Sequence, residues 1–438
     1  MTKYAIDPAF REALPFLGQS PQSLDAQPQV RGRRAQRRKR DPPHVSSPEG
    51  NATLGLRSRL CIPLTTAYGV IALVFAFLIF DAAVVHESAS AATAPNYTDI
   101  TANSSVNSVA QFTRNTSQER WNHSIFDISW GKLETYQMLD KLGDGSYSEV
   151  FLGINKLDNE SCVVKILQPV AMRRVKREIK ILQELSGGPN IVSLIDVVRD
   201  NRNKTPSLVF EYVNNTNHKT LYPQLSDFDV RYYILNLLKA LSFSHSKGIM
   251  HRDIKPYNVM IDHHNRKLRL IDWGLADFYD ENRAYGTGVG SRYWRAPELL
   301  VGYDGYDYSA DLWSVGCMLA GMVFQREPFF RGKHDDVDQL LTIARVLGTE
   351  GLFKYLHEYD IELDEAFDHV KGWYQTERWA SFVTPQNRHL VSEDAIDLIG
   401  KLLRYNHKVS ASTKQVVIEH TIQVDLTRKR IDRRLRKL

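Results

Sequence analysis

The sequence has few of the residues that hold small extracellular or metal-stabilised proteins together. It contains only three cysteines, Cys61, Cys162 and Cys317, and their wide spacing excludes a disulfide framework and a clustered zinc site. With 25 glycines and 17 prolines in 438 residues, the chain is neither collagen-like nor wholly disordered. Long apolar runs are too few for a protein with many membrane spans. What remains is an ordinary globular composition, long enough for two or three domains.

Positive charge is concentrated near the two ends of the chain. The net charge of +5 conceals +6 in residues 1–59, +6 in residues 427–438 and −7 in the residues between them. Because the basic residues cluster at 31–40 and 428–437, we expect no direct binding of nucleic acid by the body of the chain. Each basic tail is compatible with a nuclear signal, a phosphate-binding arm or a solvated run without structure.

Residues 60–80 form a run without any charged residue. A helix of that length, rising about 1.5 Å per residue, would span about 30 Å, so we predict a transmembrane helix there. A buried helix or the apolar core of a signal sequence is the alternative, although the 59 residues before the run are too many for a signal sequence. Basic residues precede the run and acidic residues follow it, so the positive-inside rule predicts a cytosolic N-terminus and a lumenal remainder.

The remaining chain divides into a linker, a folded domain and a tail. Residues 81–118 are rich in Ala, Ser, Thr and Asn and are predicted to be a flexible linker. Regular apolar spacing begins near residue 119, and we predict a folded domain over residues 119–424, followed by a basic tail at 425–438. The basic residues 1–59 form a tail of their own before the predicted membrane helix.

Within the predicted domain, strand-like runs come before helical ones. Short β-type runs occur at 136–142, 148–154 and 162–167, and long helical runs occur at 230–245 and 310–324. This order predicts an α+β fold of two lobes with a cleft between them.

Two features of the strand-rich part are typical of phosphate binding. The turn that begins at Leu142 and contains Gly143 and Gly145 lets backbone N–H groups approach phosphate oxygens. Lys165 is a charge inside an apolar strand pattern and needs a partner, for which Glu178 on the next helical run is the candidate. Each feature alone is also typical of an ordinary hairpin or a solvated strand face.

Three motifs follow in the helical part. They are His251-Arg252-Asp253-Ile254-Lys255-Pro256-Tyr257-Asn258, Asp272-Trp273-Gly274 and Ala296-Pro297-Glu298. Phosphoryl transfer requires a carboxylate to deprotonate the acceptor hydroxyl, oxygen ligands for Mg²⁺ and a cation that holds the phosphates. All three motifs in this order and at these separations are a specific signal for that chemistry.

Each requirement has a candidate residue. Asp253 fits the catalytic base, and Lys255 beside it fits the group that neutralises developing charge. Asn258 and Asp272 fit the metal ligands, and Lys165 fits the cation on the α and β phosphates.

Together these motifs resemble those of eukaryotic Ser/Thr protein kinases, and further details over about residues 119–408 resemble the catalytic alpha subunit of casein kinase II. The details are Trp273 after the metal-binding Asp, Ser148 as the last position of Gly-x-Gly-x-x-Ser, and the segments 173–182, 266–275 and 401–405. The resemblance implies a bilobal protein kinase fold, with a small antiparallel β-sheet lobe holding one helix, up to about residue 213, and a larger helical lobe. It implies ATP or GTP and Mg²⁺ as cofactors, acidic protein substrates and a regulatory beta subunit as partner.

The resemblance also implies two sets of binding residues. The set expected to contact the nucleotide is Leu142, Gly143, Gly145, Ser148, Val150, Val163, Lys165, Glu178, Phe210, Glu211, Val213, Val259 and Ile271. The set expected to bind acidic substrates, because clustered cations attract acidic peptides, is Arg173, Arg174, Lys176, Arg177, Lys180, Arg292 and Arg295.

The sequence departs from the family pattern at three places. Gly288 replaces an arginine of the activation segment, and Ala296 replaces a glycine. Beyond Tyr405 no arginine stands where kinases keep one to pair with Glu298, so this carboxylate is expected to be buried without a partner. By analogy with broken buried ion pairs, that could cost about 3 to 5 kcal/mol.

Two alternatives stay open at this point. A kinase-shaped binding or scaffold protein without turnover is the rival function, and the presence of Lys165, Glu178, Asp253, Asn258 and Asp272 argues against it. A lumenal kinase domain contradicts the nuclear and cytosolic location of the family, so residues 1–118 are alternatively an organelle-targeting extension or an upstream frame fused in error.

Overall fold

The computed structural model of the protein describes residues 127–145, 148–168, 171–409 and residue 416. The predicted basic tails, transmembrane helix and linker lie outside these residues. Among the described residues, no helix is both long enough and apolar enough to cross a membrane.

The N-terminal part is an antiparallel five-stranded sheet with one helix. Its elements are β1 (Tyr136–Gly145), β2 (Ser148–Asn155), β3 (Ser161–Leu167), α1 (Met172–Glu184), β4 (Leu194–Arg199) and β5 (Pro206–Glu211). The spatial order β1-β2-β3-β5-β4 puts β3 in the centre. Helix α1 buries Val175, Ile179 and Leu182, which lie on one face at helical spacing. The helix therefore packs through that face, while its other face carries the basic residues.

The C-terminal part is mainly helical. Its helices are α2 (His218–Leu221), α3 (Asp227–Ser246), α4 (Pro297–Leu300), α5 (Ser309–Val323), α6 (Asp336–Leu347), α7 (Glu350–Glu358) and α8 (Glu393–Leu402). Helix α3 begins at a capping box in which the side chains of Ser226 and Asp229 each accept a backbone hydrogen bond. Every residue of α5 is buried, so this helix forms the centre of the core. A sheet followed by helices confirms the predicted α+β class.

Two short antiparallel ladders bring the first two motifs together. Strand β6 (Ile249–Met250) pairs with β9 (Asp277–Phe278), and β7 (Val259–Asp262) pairs with β8 (Lys267–Leu270). The second ladder has Asn258 directly before it and Asp272 two residues after it. The two ends of one hairpin therefore meet beside the cleft between the sheet and the helices.

Candidate active site

A cleft of about 810 Å³, including its open mouth, lies under the five-stranded sheet. Nine of the predicted nucleotide residues line it: Leu142, Ser148, Val150, Val163, Lys165, Phe210, Glu211, Val213 and Ile271. The predicted metal ligand Asp272 also lines it, as do Val192, Tyr212 and Met260.

Val259, predicted to contact the nucleotide, is not among the residues that line the cleft. This side chain is only 4% exposed and lies in the hydrophobic core, whereas the neighbouring Met260 faces the cleft. Successive residues of a strand point to opposite faces, so a shift of one position exchanges a wall residue for a core residue. Met260 therefore replaces Val259 as the apolar wall on this side.

The predicted phosphate-binding turn closes the β1–β2 hairpin. Gly143 pairs with Val150, and Gly145 pairs with Ser148, in the last rungs of the ladder. Ser146 and Tyr147 lie outside the described residues. Glu211 contributes to the cleft at the other end, but its carboxylate accepts hydrogen bonds from Lys267 at 2.6 Å and Arg269 at 2.8 Å. The Glu211 charge is therefore compensated within the protein.

Lys165 joins the two lobes through two carboxylates. Its Nζ donates to Glu178 Oε1 and to Asp272 Oδ1, at 2.9 Å each. Burial alone would lower the pKa of Lys165, but the two carboxylates outweigh it and raise that pKa. Burial alone would raise the pKa of Asp272, whereas Lys165 lowers it to about 2. Lys165 and Asp272 are consequently charged at neutral pH, with the ammonium beside the oxygens of Asp272.

Asp272 occupies an unusual backbone conformation. Its φ of 60° and ψ of 71° lie in the left-handed region, which costs energy for a residue other than glycine. The following residues form a 3₁₀ turn at Trp273–Leu275, and Trp273 is buried against the ring of His251. Surrounding packing holds the carboxylate in this strained position, as is common at functional sites.

Asp253 is held in a compact polar cluster. Its Oδ2 lies 2.8 Å from Lys255 Nζ, and its Oδ1 accepts a hydrogen bond of 2.9 Å from the Ser291 hydroxyl. Lys255 Nζ also donates to Ser291 Oγ at 2.9 Å. A hydroxyl oxygen is thus placed between a carboxylate and an ammonium group. The geometry suits deprotonation of a hydroxyl by Asp253, with Lys255 stabilising the negative charge that develops.

Asn258 connects this cluster to the metal side of the site. Its Nδ2 donates to the backbone oxygen of Asp253 at 2.8 Å and to Oδ2 at 3.1 Å. Its Oδ1 is buried and accepts no hydrogen bond among the described residues. An amide oxygen without a donor and the nearby carboxylate of Asp272 are the ligand types that Mg²⁺ prefers. Asn258 and Asp272 therefore fit a magnesium site.

Asp311 fixes the backbone of the segment that leads into Asp253. Its carboxylate accepts hydrogen bonds from the backbone N–H of His251 at 2.9 Å and of Arg252 at 2.7 Å. His245 Nε2 lies 2.8 Å from it, and these partners lower the pKa of Asp311 although burial alone would raise it. Asp311 lies outside the three sequence motifs. Asp311 could have been identified from the sequence in the same way as Lys165, because it is a single charged residue in an otherwise apolar run.

A second missed carboxylate, Asp277, ties three segments together. Arg177 of α1 reaches its Oδ2 at 2.9 Å, Arg252 reaches the same atom at 3.1 Å, and Arg283 reaches Oδ1 at 3.4 Å. Asp277 is 2% exposed. The guanidinium of Arg177, predicted to bind substrate, is thus committed to an internal ion pair.

Arg295, also predicted to bind substrate, makes its contacts within the protein. Its Nη1 donates to both oxygens of Asp336, at 2.8 and 2.7 Å, and its Nη2 donates to the backbone oxygen of Gly290 at 2.9 Å. The residue is buried, because the start of α6 packs over it.

The other predicted cations differ in exposure. Arg173 and Arg174 are exposed at the start of α1, and Arg292 is half-buried. Lys176 and Lys180 are half-buried, and Lys180 Nζ lies 5.7 Å from the ring centre of Phe278.

Glu298 is buried as the motif predicted. It is 2% exposed, and no ion pair to it is present in the described part of the chain. Burial raises the pKa of Glu298 to about 8. The carboxyl group is consequently protonated for the most part at neutral pH, which avoids the full cost of an unpaired buried charge.

Comparison with known families agrees with this architecture. The family model described as the protein kinase domain matches residues 136–421, which is more than half of the chain. The protein therefore belongs to the protein kinase family, whose members are phosphotransferases that generally use ATP and Mg²⁺.

Proposed function

We propose that the protein is a Ser/Thr protein kinase, similar to the casein kinase II alpha subunit, which transfers the γ-phosphoryl group of ATP to acidic substrates. The observation that carries the proposal is the complete polar set around one cleft. Lys165 is paired with Glu178 and Asp272, and Asn258 is bonded to Asp253. A binding protein without turnover would not need the second of these pairs.

Each residue around the cleft would have a distinct role in phosphoryl transfer. Lys165 would hold the phosphates, and Glu178 would keep the lysine in place from α1. Mg²⁺, held by Asn258 and Asp272, would supply neutralisation of the phosphate charge.

Asp253 would accept the proton of the acceptor hydroxyl. The Ser291 hydroxyl, which donates to Asp253 Oδ1 and accepts from Lys255, marks a direction in which a hydroxyl can be bound. A substrate hydroxyl held in the same way would be oriented and activated at once.

The preference for acidic substrates is supported by the exposed cations beside the cleft. Arg173 and Arg174 lie at the N-terminal end of α1, the helix that also carries Glu178. Both are exposed and can attract carboxylates in solution. With Arg177 and Arg295 used internally, the substrate-binding set is reduced to Arg173, Arg174, Lys176, Lys180 and Arg292.

The test is transfer of labelled γ-phosphoryl from ATP to a pair of serine peptides, one followed by acidic residues and one by neutral residues. We expect phosphorylation of the acidic peptide in preference to the neutral one. Asp253→Asn should lower the rate by about 10²–10⁴-fold, since general base catalysis contributes that much. Asp394→Asn, a change to an exposed carboxylate on α8, is the control and should keep the rate. Absence of Mg-dependent transfer by the unaltered protein would contradict the proposal.

Three accompanying proposals rest on resemblance or on residues outside the described ranges. They are acceptance of GTP, binding of a regulatory beta subunit, and a single-pass membrane location with the kinase domain lumenal. GTP is tested as the competing donor in the same assay. Protease protection of tagged membranes tests the location, since digestion of the domain without detergent would contradict the lumenal topology. The alternative is a nuclear, cytosolic or organelle-targeted protein.

A further inference from the structure

A second cavity lies in the helical part of the molecule. It is about 350 Å³ including its mouth, and it separates α2 and the turn after it from the end of α5. Its lining residues are His218, Lys219, Tyr222, Pro223, Gly321, Met322, Gln325 and Glu327, none of which lines the nucleotide cleft. It is nevertheless close to the catalytic segment, because the ring of His218 lies 4.5 Å from that of Tyr257.

Two polar side chains in this cavity have no hydrogen-bond partner among the described residues. Both carboxylate oxygens of Glu327 and the hydroxyl of Tyr222 are buried, and none of these atoms has a hydrogen-bond partner in the part of the chain that the structure describes. Tyr222 is 6% exposed. Buried polar groups are nearly always hydrogen-bonded, so three unpartnered oxygens around one cavity point to a missing donor.

The indole of Trp294 is the competing explanation. It is near enough to lower the pKa of Glu327 slightly, but its Nε1 makes no hydrogen bond of ordinary geometry and is itself without a partner. One indole N–H could satisfy one carboxylate oxygen at most. The second oxygen would still need a donor, and the Tyr222 hydroxyl would still have no partner among the described residues.

The cavity is shaped around the carboxylate by a glycine. A Cβ at Gly321 would lie 2.3 Å from Glu327 Oε2. The helix α5 therefore gives the carboxylate room only because residue 321 has no side chain.

The charges that face Glu327 are few. The pKa of His218 is lowered by burial to about 4, so this ring is neutral. Burial, with a smaller contribution from Glu327, raises the pKa of Tyr222 and of Cys317, so both are neutral too. Lys219 is exposed at the rim, where water screens its charge. Burial raises the pKa of Glu327 itself to about 8.

We propose that this cavity binds one cationic nitrogen group, an ammonium or a guanidinium, with Glu327 as its counter-ion and the Tyr222 hydroxyl as a second acceptor. Such a group brings several N–H donors and one positive charge, which matches the unpartnered oxygens. A divalent metal ion fits poorly, because it would need more oxygen ligands than one carboxylate and one hydroxyl provide. The rings of Tyr222 and His218 also suit a cation with an alkyl stem.

The experiment is a calorimetric titration of the full chain with n-butylammonium chloride at pH 7, in two buffers of different ionisation enthalpy. We expect saturable binding with release of close to one proton per cation, because the cation favours the ionised form of Glu327. Glu327→Gln keeps the shape and should weaken binding by about tenfold or more and abolish the proton release. Glu362→Gln, which changes an exposed glutamate, is the matched control and should behave as the unaltered protein.

Equal affinity of the unaltered protein and Glu327→Gln would overturn the proposal, as would binding without proton release. Tyr222→Phe provides a second test, since it removes only the hydroxyl. It should weaken binding and leave the proton release intact. These measurements need no turnover, so they stand apart from the proposed kinase function.

The cation has two sources, a basic side chain of a protein substrate or a free amine, and peptides distinguish them. Two acidic peptides that differ by one lysine or norleucine before the acceptor serine are compared. A KM advantage for the lysine peptide that disappears in Glu327→Gln assigns the cation to the substrate. Equal KM values, together with binding of n-butylammonium, assign it to a free amine.

Discussion

Two regions of the molecule bury carboxylates in opposite ways. In the nucleotide cleft, Asp272 is paired with Lys165, and its pKa falls to about 2. In the helical part, Glu298 and Glu327 have no ion pair among the described residues, and burial raises the pKa of each to about 8. The first region keeps its charge at neutral pH, and the second largely gives its charge up.

The difference distinguishes carboxylates that are charged for binding from carboxylates that are buried in a neutral form. A charged cleft is needed if phosphates and Mg²⁺ are to be bound, so each buried charge there has a partner. Glu298 has no ion pair among the described residues, and protonation takes the place of one. The two regions should therefore respond differently to mutation and to pH.

The largest effect is expected from Lys165→Met. It leaves the carboxylate of Glu178, 7% exposed in its side chain, buried without a partner. We expect a loss of about 3 kcal/mol in the free energy of unfolding, near the lower end for a broken buried pair. Denaturant unfolding measures it, and phosphoryl transfer should be lost in the same variant.

The double variant Lys165→Met/Glu178→Gln sharpens this prediction. Removing both charges should restore most of the stability, because the remaining carboxylate of Asp272 is 34% exposed in its side chain. Activity should stay lost. Equal free energies of unfolding for the single and double variants would show that the unpaired carboxylate of Glu178 does not destabilise the protein.

A pH-dependent effect on stability, of similar size at high pH but without the loss of phosphoryl transfer, is expected from Glu298→Gln. The folded pKa of Glu298, about 8, exceeds its ordinary value of 4.5, so the folded protein binds more protons between these pH values. The contribution of Glu298 to stability is therefore full below about pH 4.5 and lost as pH rises through 8. Glu298→Gln should stabilise the protein by about 2–4 kcal/mol at pH 9 and by little at pH 5.

Thermal unfolding of both proteins across this pH range measures the effect. Glu362→Gln, at an exposed position, is the control and should show the same difference from the unaltered protein at every pH. A stability difference for Glu298→Gln that is independent of pH would mean that Glu298 has an ionic partner in the folded protein.

The smallest effect concerns the exposed arginines. Arg173→Ala and Arg174→Ala should each raise KM for an acidic peptide by about twofold to fivefold, with kcat unchanged, because exposed charge pairs are weak. A neutral peptide should show no change. Loss of kcat in either variant would point to a role in positioning α1 instead of substrate binding.

Most of the fold was predictable because its apolar patterns are regular. The runs at 136–142, 148–154 and 162–167 correspond to Tyr136–Gly145, Ser148–Asn155 and Ser161–Leu167, and the helix predicted at 310–324 is Ser309–Val323. The predicted ends of these strands and helices differ from the observed ends by up to three residues. The ends depend on hairpin pairing and helix caps, which apolar spacing does not encode.

The site was predictable where a motif specifies it and less so elsewhere. Val259 and Met260 are both apolar, so only the strand register shows which of them faces the cleft. Arg177 and Arg295 look like members of a surface charge run until Asp277 and Asp336 are found beside them in space. Those carboxylates come from distant parts of the sequence, and no local pattern links them.

The central claim is that Lys165, Asn258 and Asp272 form one site for a magnesium nucleotide. The most direct measurement is the affinity for ATP with and without Mg²⁺, in the unaltered protein and in Asp272→Asn. We expect Mg²⁺ to strengthen binding in the unaltered protein, and we expect Asp272→Asn to bind ATP with little response to Mg²⁺. An affinity that does not depend on Mg²⁺ in the unaltered protein, or the same dependence in both proteins, would contradict the claim.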